Sequence, residues 1–168
     1  MICHAPRLAS ALPMPEGLLA WTRTQGPDMW HEIACGIDFT DPQATIDLLL
    51  TTQWIVRQEG CCRATAVLLL ARMVGAGLHL GAPAHLAPPA GALVARELHR
   101  RLAEGRFPVA RYRLSAGQQA LIQALFGATG PMPLPAAVLR PGRRAAHPPH
   151  VFLGWRPCWA PQPLRLVA

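Results

Sequence analysis

His31, Glu32 and Cys35 are the first residues whose types and spacing suggest chemistry. On a helix, His31 and Cys35 fall one turn apart on one face, as two metal ligands would, with Glu32 placed to act as a base on metal-bound water. No third ligand follows at a telling distance, and the plainer interpretation is a short capped helix with a buried cysteine. Cys61 and Cys62 come next. They sit where a helix begins, so unpaired N–H groups and the macrodipole would lower a thiol's pKa, with Arg57 and Arg63 close in sequence. A thiolate nucleophile also needs a base, and only the fold could bring His79, His85 or His99 to it. Adjacent cysteines seldom bridge to each other, so one of the pair is expected in the core. Gly75, Gly77 and Gly81 lack the preceding strand that a dinucleotide loop requires. No catalytic, metal-ligating or cofactor-binding residue is therefore assigned, and no cofactor is expected.

Arginine carries a clearer signal. The formal net charge is +7, and every acidic residue lies at or before Glu104, whereas residues 105–168 carry eight arginines and no acid. Such a stretch can track phosphates, meet an acidic protein surface, or keep an apolar chain in solution. The candidate partner-binding residues are Arg140, Arg143, Arg144, Arg100 and Arg101, with Trp155 and Trp159 as apolar anchors, because arginine and tryptophan are enriched where interfaces bind most tightly. Lysine is absent altogether, which together with abundant Ala, Pro, Leu and Gly points to a GC-rich bacterial genome. Five cysteines at irregular spacing, Cys3, Cys35, Cys61, Cys62 and Cys158, imply no disulfide framework and fit a reducing, cytoplasmic compartment. The apolar fraction of 51% and mean hydropathy of +0.20 are high. Yet Arg63, Arg72 and two glycines interrupt the best bilayer-length window, Cys62 to Leu80, so no membrane span is expected. The N-terminal run is too short and too broken by proline for a secretory signal.

The stretch Asp41 to Leu80 must organise whatever positions these residues. Asp41 and Pro42 suit a helix start. Ile46, Leu49, Leu50, Gln53, Trp54 and Val56 then form one apolar face, and Gly60 stops the helix. A second helix, Cys61 to Val74, is apolar on most sides and so belongs inside. A short connection makes the two an antiparallel pair, the nucleus of an all-α domain. Before it, short helices are expected over Glu16–Thr24, ended by Gly26 and Pro27, and over Met29–Cys35, capped by Asp28. After a Pro/Ala/Gly loop, Ala90–Glu104 is amphipathic, with Leu93, Val94, Leu98 and Leu102 inward and Gly105 as its C-cap. Ser115 caps a helix over Ala116–Phe126, whose apolar residues are Leu121, Ile122, Leu125 and Phe126. Beyond Gly130 the prolines allow one turn at most, Ala136–Leu139. The expected organisation is an irregular arm over 1–15, a compact helical domain over 16–130, and a Pro/Arg-rich irregular tail over 131–168 that packs on the domain or extends from it.

The order Trp30-His31-Glu32-Ile33-Ala34, Gln53-Trp54-Ile55-Val56-Arg57-Gln58 and Cys61-Cys62-Arg63-Ala64-Thr65-Ala66 resembles the bacterial domain-of-unknown-function family numbered 4274. Members of that family carry a His-Glu-x-Ala-like start, a Trp-Ile-Val segment and a Cys-Asp-x-Ala-Thr-Ala helix start. Gly105-Arg106-Phe107 through Tyr112, and Leu134-Pro135 to Pro141-Gly142-Arg143, look like its later blocks. Cys62 stands where the family has Asp, and residues 37–41 lack its Asn-Trp-Asp-Asp-like run, so no site built on those acids carries over. The resemblance implies a small helical protein of the immunity or accessory kind that accompanies secreted toxins.

The function expected is a non-enzymatic protein-binding module, an immunity protein that occludes the active site of a cognate toxin. The arginine-rich third would supply on-rate and the tryptophans affinity. Nuclease toxins are usually basic, so a basic inhibitor fits an acidic or nucleotide-using toxin better. The alternatives are a nucleic-acid-binding accessory protein and a small thiol or metal enzyme built on Cys61, Cys62, His31 or Cys35.

Overall fold

Arg63–Gly75 has apolar side chains on nearly every side, and the fold is arranged to bury them: ten of its thirteen residues are buried. The structure, a computed structural model, describes residues 17–40, 45–80, 89–140 and 142. Among these the chain forms α1 (Gly17–Arg23), α2 (Pro27–Gly36), α3 (Thr45–Ile55), α4 (Arg63–Gly75), a 3-10 turn at Leu78–Leu80, α5 (Pro89–Ala103), α6 (Ala116–Phe126) and α7 (Ala136–Leu139), with no strand. The fold is all-α. α4 is its hub, packed against α2, α5 and α6, while α3 turns to α1 and, less extensively, to α5. No helix among the described residues is long and apolar enough to cross a membrane.

Local chemistry sets most helix ends. Ser115 accepts a hydrogen bond from the Gln118 backbone N–H at 3.2 Å while the Gln118 side chain accepts from the Ser115 N–H at 2.8 Å, a reciprocal cap that starts α6. At the end of α5 the Gly105 N–H donates to Leu102 O and the Arg106 N–H to Arg101 O. Gly105 has φ 72° there, the left-handed conformation this closure needs. The one-turn α7 falls on the expected residues. Pro27 differs from expectation: it opens α2 rather than closing α1, with Gly26 as N-cap and Asp28 inside the first turn. Proline costs nothing at the first helical position, where no N–H is needed. The expected starts at Asp41 and Pro42, and the loop at residues 81–88, lie outside the described residues.

The inward faces also differ. Ile46, Leu50, Leu93 and Leu121 were assigned to apolar faces but are exposed, Leu93 and Ile46 by 64% each. α3 buries the expected Leu49 together with Leu48, Thr51, Thr52 and Ile55, the expected Val56 is buried just past its end, and α5 buries the expected Leu98 and Leu102 together with Ala92 and Ala95. α5 packs on α4 with Ala92 and Ala95 buried and the bulkier Leu93 turned outward. The α1–α3 contact is fixed by Asp47, whose carboxylate accepts the Leu18 N–H at 3.0 Å. Leu134 and Val138 belong to the core, so the start of the proline-rich segment is part of the helical body.

Candidate functional site

The stretch between α5 and α6 has no helix or strand, and it alternates: Ala110, Tyr112 and Leu114 line a cavity while Arg111 and Arg113 are exposed. That is the period of an extended chain. It lies across the N-terminus of α4 and is pinned there. The Arg63 N–H donates to Val109 O at 2.8 Å, and the Cys62 Sγ receives the backbone N–H of Arg111 at 3.2 Å and of Tyr112 at 3.5 Å. Cys62 is the N-cap of α4 and is buried.

α2 closes the site from the other side. The Tyr112 hydroxyl donates to Asp28 Oδ1, and Arg111 Nη1 pairs with the same oxygen at 3.3 Å. The Tyr112 ring stacks on His31, with centroids 4.1 Å apart and planes 16° from parallel. His31 Nδ1 and Thr65 Oγ1 share a hydrogen bond of 3.0 Å that ties α2 to the first turn of α4. Burial pushes the His31 pKa down to about 4, with the Asp28 charge opposing the shift, so this histidine is neutral near pH 7. Burial, with help from the Asp28 hydrogen bond, pushes Tyr112 up to about 12.

The thiol and metal candidates separate in space. Burial pushes Cys61 up to about 12, away from the thiolate form a nucleophile needs. His99 Nε2 is hydrogen-bonded with Pro133 O at 2.9 Å. His79 lies beyond the far end of α4, which at 1.5 Å per residue is about 20 Å long. His85 lies outside the described residues. His31 turns to Thr65, whereas the Cys35 Sγ accepts from Gln118 Nε2 at 3.5 Å, so the two do not converge. Burial raises the Cys35 pKa, the Gln118 hydrogen bond opposing it. Among the described residues no three His, Cys, Asp or Glu side chains are grouped to hold a metal. The buried member of the His31/Cys35 pair is the histidine; Cys35 is half-buried.

The arginine candidates divide. Arg100 is spent on Glu97 and Glu104 along the surface of α5, and Arg101 lies over the Phe107 ring at 5.2 Å. These two are committed within the chain. Arg140 is exposed, and its carbonyl oxygen accepts from Arg63 Nη2 at 3.2 Å. Arg143, Arg144, Trp155 and Trp159 lie outside the described residues. Arg63 and Arg140 are the charged residues lining the cavity between α4, the extended stretch, α6 and α7, whose apolar lining includes Val67, Ile122 and Val138. Its volume of about 20 Å³ admits about one water molecule.

Sequence reasoning missed Asp28, Tyr112, Cys62 as an acceptor, and Arg63. The alternation in Ala110-Arg111-Tyr112-Arg113-Leu114 was a visible signal for a half-buried extended segment. Nothing local marks Asp28 and Tyr112, 84 positions apart, as partners. No family model matches the chain, and no curated protein or solved structure matches it.

Proposed function

We propose that this chain is a non-enzymatic protein-binding module, and within that class an immunity protein that covers the active site of a cognate toxin. The observation that carries the proposal is the cationic end of α4. Arg63, Arg113 and Arg140 make no ion pair among the described residues, whereas Arg100, Arg106 and Arg111 each do. The cavity beside them holds about one water, so this end offers a partner a charged surface rather than a metabolite a cleft. Charge of one sign steers a partner of the other sign and raises its on-rate. The free thiols Cys35, Cys61 and Cys62 fit a reducing compartment. The resemblance to family 4274 supports the immunity assignment within the binding class, and the basic charge favours a toxin that is acidic or uses a nucleotide.

The test is to isolate the tagged chain from its host with and without nuclease treatment, and to measure co-purifying protein by mass spectrometry and nucleic acid by absorbance. One stoichiometric protein that survives nuclease is expected. Nucleic acid alone, lost on nuclease treatment and bound with a steep salt dependence, would replace the proposal with the nucleic-acid reading.

A further inference from the structure

We infer that the opening between Arg63 and Arg140 is the socket for one acidic side chain of the protein partner. This rests on the protein-binding reading and names the chemistry of the contact. Arg63 is the first residue of α4 and is half-buried. A guanidinium has five N–H donors. The acceptor found for Arg63 is the Arg140 carbonyl, and no carboxylate pairs with it among the described residues. A partly dehydrated cation with donors to spare is completed by a carboxylate, whose planar pair of oxygens matches the guanidinium fork. The positive end of the α4 dipole lies at the same place.

The surroundings select the anion. The adjoining cavity has room for about one water, so a single carboxylate oxygen fits it beside the two arginines. A tetrahedral phosphodiester is bulkier. Arg111 is not part of the socket, because Asp28 already matches its charge.

The experiment measures fluorescence anisotropy of labelled oligoglutamate, oligoglutamine of equal length and single-stranded DNA of equal charge, each titrated with the full chain. Oligoglutamate is expected to bind and oligoglutamine not to. R63Q and R140Q should each weaken binding about tenfold, the size of a lost charge-assisted hydrogen bond. Arg96→Gln, an exposed change on α5, should leave it unchanged. Arg63→Lys, which keeps the charge but loses the fork, covers the case in which R63Q does not fold, and should retain only part of the affinity. Equal binding by all variants overturns the socket, and so does tighter binding of DNA through the same arginines. The isolated partner separates the two claims: a captured protein whose binding survives R63Q and R140Q removes the socket and leaves the binding module, whereas capture of no protein removes the binding module itself.

Discussion

The arginines of α5 and those at the N-terminal end of α4 are the same residue type put to opposite uses. On α5, Arg100 lies one helical turn from Glu97 and from Glu104, so local spacing alone neutralises it. At the end of α4, Arg63 and Arg140 line one cavity and Arg113 is exposed on the extended stretch that crosses it, the last two lying beyond the last acidic residue, Glu104. Arg106 still reaches Glu104 locally, but the arginines after it have no acid near them in the sequence. The cationic end is thus a product of sequence layout and of a long-range fastening, the Asp28–Tyr112–His31–Thr65 chain of contacts that holds the extended stretch in place.

The strongest way to break this contrast is to remove the fastening. Tyr112 is buried, stacked on His31 and bonded to Asp28. Tyr112→Ala should cost about 3–5 kcal/mol, the range for deleting a buried aromatic, read as a fall in urea midpoint. A loss within the range of ordinary surface substitutions would show that the extended stretch is held by something else. Arg113 and Arg140 would then need another account of their placement.

Acid should act on the same fastening. His31 is neutral and buried, with its pKa lowered from 6.5 to about 4. The unfolded chain takes up the proton near its ordinary pKa while the folded one does not, so stability is full above pH 6.5 and falls as pH drops toward 4. The shift corresponds to about 3 kcal/mol at most, with little further change from this group below pH 4. His31→Gln should flatten that slope. An unchanged slope in the variant would assign the acid sensitivity to other groups.

Two threonine changes sharpen the contrast between satisfied and unsatisfied polar groups. Thr65 bonds His31, whereas the hydroxyl of Thr51 is buried with no hydrogen-bond partner. Thr65→Val should destabilise by about 1–2 kcal/mol because it leaves His31 Nδ1 without a partner. Thr51→Val removes a buried unpaired hydroxyl and should stabilise by about 1 kcal/mol. Opposite signs for one chemical change would confirm that the fastening, not threonine content, is what matters. Equal signs would end that distinction.

The parts legible in the sequence are those decided within one helical turn. Ser115 and Gln118 define a capping box wherever they occur three apart, Gly105 supplies a left-handed end, and Ala136–Leu139 is the length of helix its flanking prolines leave. Pro27 was misplaced because the same residue that ends one helix can open the next. The exposed Ile46 and Leu50 were misplaced because a helix with apolar residues all round does not disclose which face its neighbours will cover, and Leu93 because the small Ala92 and Ala95 take the buried face of α5. α3 and α5 settle that through α1 and α4, not through their own periodicity. The candidate site was the least legible part. His31 and Cys62 were singled out for metal and thiol chemistry, and their structural roles emerge only when Tyr112 and Asp28 meet across most of the chain.

The smallest expected effect tests the other half of the contrast. Arg100 sits at the surface with one partner on its own helix and the other one residue past its end, and burial contributes nothing to hold it. Exposed pairs of this kind gain little Coulomb energy in water, lose side-chain freedom, and are screened by salt. Arg100→Gln should therefore leave the urea midpoint nearly unchanged at low salt and indistinguishable from the parent at high salt, and it should leave oligoglutamate binding alone. Arg113→Gln should also leave stability unchanged, because no ion pair among the described residues depends on it, yet it should slow association with an acidic partner by removing charge from the cationic end. If Arg100→Gln slows association as much as Arg113→Gln, net charge alone steers the partner and the position of the arginines is irrelevant. If only Arg113→Gln does so, the unpaired arginines at the end of α4 are the ones a partner meets first.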